Sequence, residues 1–243
     1  MIKKKPSVLV EDNKFCPGCG HGIINRLVGE VLEEMELDKK AIGSVAVGCA
    51  CLMIDTFGVD WVQAQHGRAA AVATGLKRVR PENPVFTYQG DGDSLSIGFS
   101  ETMYAAIRNE NITAIIVNNG VFGMTGGQMA PTTLEGQKTT TSPKGRDVNL
   151  TGHPVKVIDF MRTLEIGYAA RGTITTPKEI NQTKKFIRNA FEAQMNNEGY
   201  SIVEVVAPCP TNWGLTPQQS FEHIREDVLK EFPVGEYVKR GEK

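Results

Sequence analysis

The chain alternates between short, nearly unbroken apolar runs and longer stretches with helical spacing. Ile42–Val47, Pro84–Gln89, Ile112–Val117 and Tyr200–Val206 are of strand length and rich in β-branched or aromatic residues. The run ITAIIV at 112–117 has no polar face, which predicts a central parallel strand covered on both sides. His66–Val79, Ser100–Arg108, Val157–Leu164 and Pro177–Asn196 read as helices, the first stopped by Pro81. A further helical run follows Cys19. This alternation predicts an α/β fold, a doubly wound and mostly parallel sheet with helices on both faces. Ligands in such sheets sit beyond the carboxyl ends of the strands, which here carry Gly90-Asp91-Gly92 and Asn118-Asn119-Gly120. The stretch from Gly120 to Gly152 is rich in Gly, Thr and Pro and has little periodicity, the mark of a functional loop or an interface. Residues 1–209 are expected to form the ligand-binding body, and residues 210–243 a C-terminal arm packed on a partner subunit.

Composition narrows the function classes. The 243 residues are 40% hydrophobic and 23% charged, enough for a substantial core. A formal net charge of −1 gives no electrostatic case for nucleic acid or an acidic membrane surface. The one basic run, Lys3, Lys4 and Lys5, reads as a solvated terminus. No apolar stretch of signal type follows it, and Ala41–Ile54 is too short to cross a bilayer. A soluble cytoplasmic protein with no membrane partner is expected. The cysteines are Cys16, Cys19, Cys49, Cys51 and Cys209. An odd count argues against a simple disulfide framework and for metal ligands or small buried residues.

Asp91 and Asn119 lie at the ends of two successive strand-like runs, separated by the length of a turn, a helix and a strand. One βαβ unit would set them side by side. Magnesium takes oxygen ligands, usually one or two from protein and the rest from phosphate and water. Asp91 offers an anionic oxygen, Asn119 a neutral one, and the Val121 carbonyl a third. The flanking glycines permit close approach of a diphosphate, and exposed N–H groups after the strands complete an anion site. GDG, an intervening helix, then NN is similar to the thiamine diphosphate motif.

Cys16-Pro17-Gly18-Cys19 precedes a helical run, Cys49 follows one strand, and Cys209 follows another. Four thiolates from these ends fit one iron–sulfur cubane. A four-cysteine structural zinc fits the same spacing. Cys49 is the expected ligand and Cys51 a buried or site-lining thiol.

Taken together, these motifs resemble the β subunit of the 2-oxoacid:ferredoxin oxidoreductases. The likeness runs through Cys16-Pro17-Gly18-Cys19-Gly20-His21, Val47-Gly48-Cys49, His66-Gly67-Arg68-Ala69 and Tyr88-Gln89-Gly90-Asp91-Gly92-Asp93. It continues through Asn118-Asn119, Met124-Thr125-Gly126-Gly127-Gln128 and Cys209-Pro210-Thr211. It implies a thiamine-diphosphate-binding fold and a [4Fe-4S] cluster on Cys16, Cys19, Cys49 and Cys209. Magnesium would be held by Asp91, Asn119 and Val121. Cofactor contacts are implied for Gly20, His21, Gly48, Gly90, Asp91, Gly92, Asp93, Asn119, Val121, Gly123, Met124 and Thr125. His66 and Arg68 are implied at the reacting centre, where His66 could instead cap its helix and Arg68 be a surface charge.

The implied activity is CoA-dependent oxidative decarboxylation of a 2-oxo acid to an acyl-CoA, with electrons leaving through the cluster to ferredoxin. The implied partners are a pyrimidine-binding α subunit supplying a catalytic glutamate, and a ferredoxin-like subunit or free ferredoxin. Leu52 stands three residues after Cys49, where members that take 2-oxoglutarate often carry lysine. With the run Gly123–Thr133, it points to a branched-chain 2-oxo acid, with pyruvate and 2-oxoglutarate as alternatives. The rivals are a non-redox thiamine decarboxylase or carboligase, and a zinc-bound assembly subunit.

Overall fold

The computed structural model describes residues 5–239, so Lys3 and Lys4 lie outside the described residues. The strands are β1 (Ile42–Val45), β2 (Asp60–Gln63), β3 (Val85–Gly90), β4 (Thr113–Asn118), β5 (Val121–Phe122), β6 (Gln128–Met129), β7 (Tyr168–Thr173), β8 (Ser201–Val206) and β9 (Gly235–Lys239). The helices are α1 (Gly20–Glu34), α2 (Ala69–Val79), α3 (Phe99–Ile107), α4 (Val148–Thr151), α5 (Val157–Met161), α6 (Pro177–Met195), α7 (Pro210–Trp213), α8 (Pro217–His223) and α9 (Leu229–Glu231). Seven strands form one sheet in the order β2-β1-β3-β4-β8-β7-β9. Every neighbouring pair in it is parallel except β7 with β9.

The all-apolar β4 run is covered on both faces, as its pattern predicts. Ile115 and Val117 face α1 and α6, packing with Ile24, Leu32, Phe186 and Phe191. Ala114 and Ile116 face the opposite layer, with Ala70 and Ala73 of α2, Ala105 of α3 and Ile158 of α5. The alanines let α2 and α3 lie close to the sheet. Helix α6 starts where Pro177 occupies its first turn and the Thr176 hydroxyl accepts from the Glu179 N–H.

Chain direction sets the site. From β1 the chain runs outward to β2, and from β3 it runs the other way to β4. The strand order therefore reverses between β1 and β3, and a crevice opens at their carboxyl ends.

Three strands of the seven-stranded sheet escape the apolar pattern. β2 is an exposed edge, β7 carries a buried arginine, and β9 is a short edge strand. α2 begins at Ala69 rather than His66, because Gly67 turns the chain at φ 80°. There an added Cβ would stand 2.6 Å from the Gly98 nitrogen. α5 stops at Met161, short of Leu164.

The segment after Cys209, expected as an arm, returns to the chain's own sheet. Ile224, Val228 and Phe232 pack with Val206 in a small core, and β9 closes the sheet edge against β7. Residue 209 is thus no break in the sheet. The loop 120–152 is pinned from inside by Arg146, whose guanidinium donates to the carbonyls of Pro131, Thr133, Gly152 and His153.

Candidate active site

The crevice between β1 and β3 opens as a cleft. Its walls are the tips of three strands: Val47 to Ala50 after β1, Gly90 to Asp93 after β3, and Asn119 with Val121 to Thr125 after β4. His21 and His66 close its sides. Of the expected cofactor contacts, all but Gly20 line this one cleft.

Asp91 is buried, with relative exposure of 1%. Its Oδ1 accepts from the Gly92 N–H at 2.8 Å, and its Oδ2 from the Gly120 N–H at 2.8 Å and from the Thr132 hydroxyl. Burial lifts its pKa to about 6, against the pull of those three donors, and the like charge of Glu204 adds to the rise. A buried carboxylate that meets three donors and, among the described residues, pairs with no Lys or Arg is suited to a metal ion. Asn119 sits across the same turn, its Oδ1 accepting from the Val121 N–H at 3.2 Å and its carbonyl from Trp213 Nε1 at 3.1 Å. An added Cβ would meet nothing within 4 Å at Gly90 or at Gly48, and Gly48 lies at φ 135°. Bare backbone therefore faces the cleft from two sides, where a phosphate could approach. These residues fit magnesium and a diphosphate.

Asp93 lines the cleft and also orients a neighbour. Its carboxylate accepts from His66 Nδ1, from the Gly67 N–H at 2.6 Å and from Gln89 Nε2 at 2.5 Å. It therefore fixes the His66 ring, which also packs edge-on against Phe122. His21 is fully enclosed, stacked on Phe15 and paired with the Tyr88 hydroxyl at 2.8 Å. Burial pushes its pKa down to about 4, so it is neutral near pH 7.

Three expected site residues lie elsewhere. Gly20 does not reach the cleft: it sits where α1 meets the end of β8, and an added Cβ would come within 2.5 Å of Ala207 Cβ. Its smallness serves packing. Arg68 turns outward, donating to the Ile97 carbonyl at 3.1 Å and pairing with Glu101 at 3.1 Å. Leu52 is half-buried in the 3-10 turn Cys49–Met53 and is not a wall of the cleft.

The cysteines gather at the cleft mouth. An added Cβ on Gly123 would stand 3.2 Å from Cys49 Sγ and 3.8 Å from Cys209 Sγ. The Cys19 N–H donates to the Cys16 carbonyl at 3.0 Å, closing the CPGC turn. Burial pushes the Cys19 thiol up to about 12, opposed by the His21 N–H and reinforced by the charges of Cys209, Cys49 and Cys16. Burial likewise lifts Cys49 to about 11, with Cys209, Cys16 and Cys51 adding to it. The sulfurs thus sense one another, yet among the described residues no three His, Cys, Asp or Glu side chains converge on a point fit for one ion.

Sequence reasoning missed Thr132, whose hydroxyl touches Asp91, and Phe122 on the cleft wall. It also missed Asn212, which donates to the Gly123 carbonyl at 3.0 Å and to Cys209 Sγ at 3.2 Å. Nothing in a Thr-rich loop marks one hydroxyl as the partner of a carboxylate forty residues earlier.

Fold and site define a thiamine pyrophosphate-binding domain, and the family model described as thiamine pyrophosphate enzyme, C-terminal TPP binding domain, matches residues 44–205. Within that class, 2-oxoglutarate synthase subunit KorB of Archaeoglobus fulgidus is 37% identical, covering 89% of this chain and 77% of the relative. Ketoisovalerate oxidoreductase subunit VorA of Methanothermobacter thermautotrophicus is 42% identical, covering 93% of this chain and 48% of the relative. A solved 2-oxoglutarate:ferredoxin oxidoreductase from Magnetococcus marinus superimposes with a TM-score of 0.80 at 26% identity, covering 98% of this chain and 86% of that one. The chain belongs to the β-subunit family of the 2-oxoacid:ferredoxin oxidoreductases. It spans about half the length of the ketoisovalerate relatives.

Proposed function

We propose that this chain is the thiamine-diphosphate-binding subunit of a CoA-dependent 2-oxoacid:ferredoxin oxidoreductase acting on a branched-chain 2-oxo acid. The observation that carries the reading is Asp91, a buried carboxylate beside Asn119, in a cleft that Cys49 lines and whose Gly123 wall lies against Cys49 and Cys209. Asp91, Asn119 and the Val121 carbonyl hold magnesium, and the bare backbone at Gly48 and Gly90 admits the diphosphate. When bound, thiamine diphosphate supplies the carbon nucleophile that makes loss of carbon dioxide possible. His66 has Nδ1 committed to Asp93, which leaves Nε2 to hold or move a proton beside the substrate. The buried, neutral His21 and its Tyr88 partner help keep water from the inner wall.

Cys16, Cys19, Cys49 and Cys209 would hold a [4Fe-4S] cluster, which would supply one-electron transfer toward a ferredoxin. The relatives are oxidoreductase subunits, whose chemistry calls for an electron carrier that redox-inert zinc cannot be, and this favours the cluster. A separate subunit supplies the carboxylate for the pyrimidine ring.

The substrate reading rests on the lining of the cleft and on the relatives. Val47, Ala50, Val121, Phe122 and Met124 give it an apolar wall, and among the described residues no lysine or arginine lines it. A distal carboxylate like that of 2-oxoglutarate has no partner here, whereas a branched alkyl tail does. The ketoisovalerate relatives are also more similar, at 42% and 41%, than the 2-oxoglutarate relative at 37%. No helix among the described residues is long and apolar enough to cross a membrane, in keeping with action in the cytoplasm.

The test is anaerobic purification with co-expressed partners, followed by iron, sulfide and thiamine analysis and a screen of 2-oxo acids with CoA and a viologen dye. Iron-bearing protein that reduces the dye fastest with 2-oxoisovalerate is expected. A colourless, iron-free holoenzyme that releases an aldehyde would overturn the reading.

A further inference from the structure

The opposite-layer face of the sheet is apolar for most of its length and then turns polar at its carboxyl end. Tyr200 just before β8 and Ile202 within it are followed by Glu204. On β7, Ala169 is followed by Arg171, and on β4, Ala114 and Ile116 by Asn118. Register places Arg171 beside Glu204 and Glu204 beside Ile116. Glu204 and Arg171 form an ion pair at 2.7 Å with side-chain exposures of 0% and 1%. Neither lines the cleft.

Such a pair inside a core is an odd way to gain stability. Desolvation offsets most of the attraction, and well-packed apolar replacements are often no worse. What the pair does hold is Asn118. The second carboxylate oxygen of Glu204 accepts from Asn118 Nδ2 at 2.7 Å. Asn118 is the last residue of β4, and Asn119 follows it directly. Arg171 is in turn fixed from the C-terminal segment. It donates to the Pro233 carbonyl at 3.3 Å, and its guanidinium lies over the rings of Phe232 and Tyr237 at 5.4 and 5.6 Å.

We propose that Glu204 and Arg171 are positioning residues for the metal site: Glu204 anchors Asn118, which sets where Asn119 and the Gly120 turn present their oxygen and N–H to the metal and to Asp91. Arg171 holds Glu204 in place, and residues 232–237 lock Arg171. The role of the segment after Cys209 is then to brace this corner from behind.

This rests on the magnesium and thiamine diphosphate reading. The test compares two double variants in the full chain purified with its partners. Glu204→Gln with Arg171→Gln keeps an oxygen acceptor for Asn118 without charge. Glu204→Leu with Arg171→Met fills the same space but leaves Asn118 Nδ2 without an acceptor. Thiamine diphosphate affinity and its Mg2+ dependence are read by calorimetry, and folding by thermal melting. The glutamine pair should bind within about threefold of wild type, the smallest change that matters on an affinity scale. The apolar pair should fold yet bind about tenfold or more weakly and need more Mg2+ to do so, the size of one lost interaction. Asn118→Leu should reproduce the apolar pair's defect. Wild-type affinity in a folded apolar pair, or in Asn118→Leu, overturns the inference. So does an apolar pair that cannot fold, which would make the ion pair structural. If wild type itself binds no thiamine diphosphate, it is the proposed function that fails.

Discussion

Replacing Asp91 by Asn separates what the carboxylate costs the fold from what it does for the site. Burial lifts its pKa from 3.8 to about 6. At about 1.4 kcal/mol per pKa unit, holding it ionised at neutral pH destabilises the unliganded fold by about 3 kcal/mol. An amide carries no such penalty. Turned so that its oxygen keeps the Gly120 N–H and the Thr132 hydroxyl, it leaves the Gly92 N–H facing an amino group. That lost bond costs about 1 kcal/mol. The net gain is about 2 kcal/mol, or a rise of about 4–8 °C in melting temperature for a chain of this size. The sign with pH follows from the raised value. The folded chain binds the proton more tightly than the unfolded one, so wild-type stability rises as pH falls from about 6 toward 3.8. The gap between variant and wild type should close over that window. Thermal melting in chelator, without cofactor, at about pH 7 and about pH 4 reads both effects. Adding Mg2+ and thiamine diphosphate should then raise wild type and leave the variant where it was. A variant that melts at or below wild type at neutral pH, or that gains as much from cofactor, refutes the reasoning.

Other outcomes are expected from single contacts. Thr132→Val removes the hydroxyl donor to Asp91. A bond to a charged group is worth about 1.5–3 kcal/mol, so cofactor affinity by calorimetry should fall about 10- to 100-fold; an unchanged affinity would clear Thr132 of any role. Cys209→Ala should lose the cluster and Cys51→Ala keep it, with iron and sulfide counts deciding; equal counts in the two would refute the ligand assignment. Gly20→Ala forces a Cβ to within 2.5 Å of Ala207 Cβ. It should lower stability by about 1–3 kcal/mol in urea melts while sparing cofactor affinity, and a loss of affinity alone would restore Gly20 to the site.

How far the sequence revealed all this depended on which residues announce their surroundings. Ile112–Val117 did, because an unbroken β-branched run has no solvent face to offer. The ends of β3 and β4 did too, since glycine and amide pairs at strand tips seldom serve packing. β2 stayed hidden because Asp60–Gln63 lies on an exposed edge and shows no alternation. β7 stayed hidden because Arg171 reads as a surface charge until its partner in β8 is known. The same blindness applied to Glu204 within an otherwise apolar strand. Gly20 was misread for a general reason. A glycine beside a motif can serve a ligand or a neighbouring helix, and only the 2.5 Å approach to Ala207 tells which. Arg68 kept two readings open, because motif position says nothing of Glu101 across the α2–α3 seam.

The central claim is that Asp91 and Asn119 share one divalent ion. Manganese replaces magnesium in such oxygen sites and scatters anomalously. Crystals of the complex grown with Mn2+ and thiamine diphosphate should show a single anomalous peak between Asp91 and the Asn119 side chain, in contact with the diphosphate. A peak elsewhere, or cofactor density in the cleft with no ion touching Asp91, would contradict it.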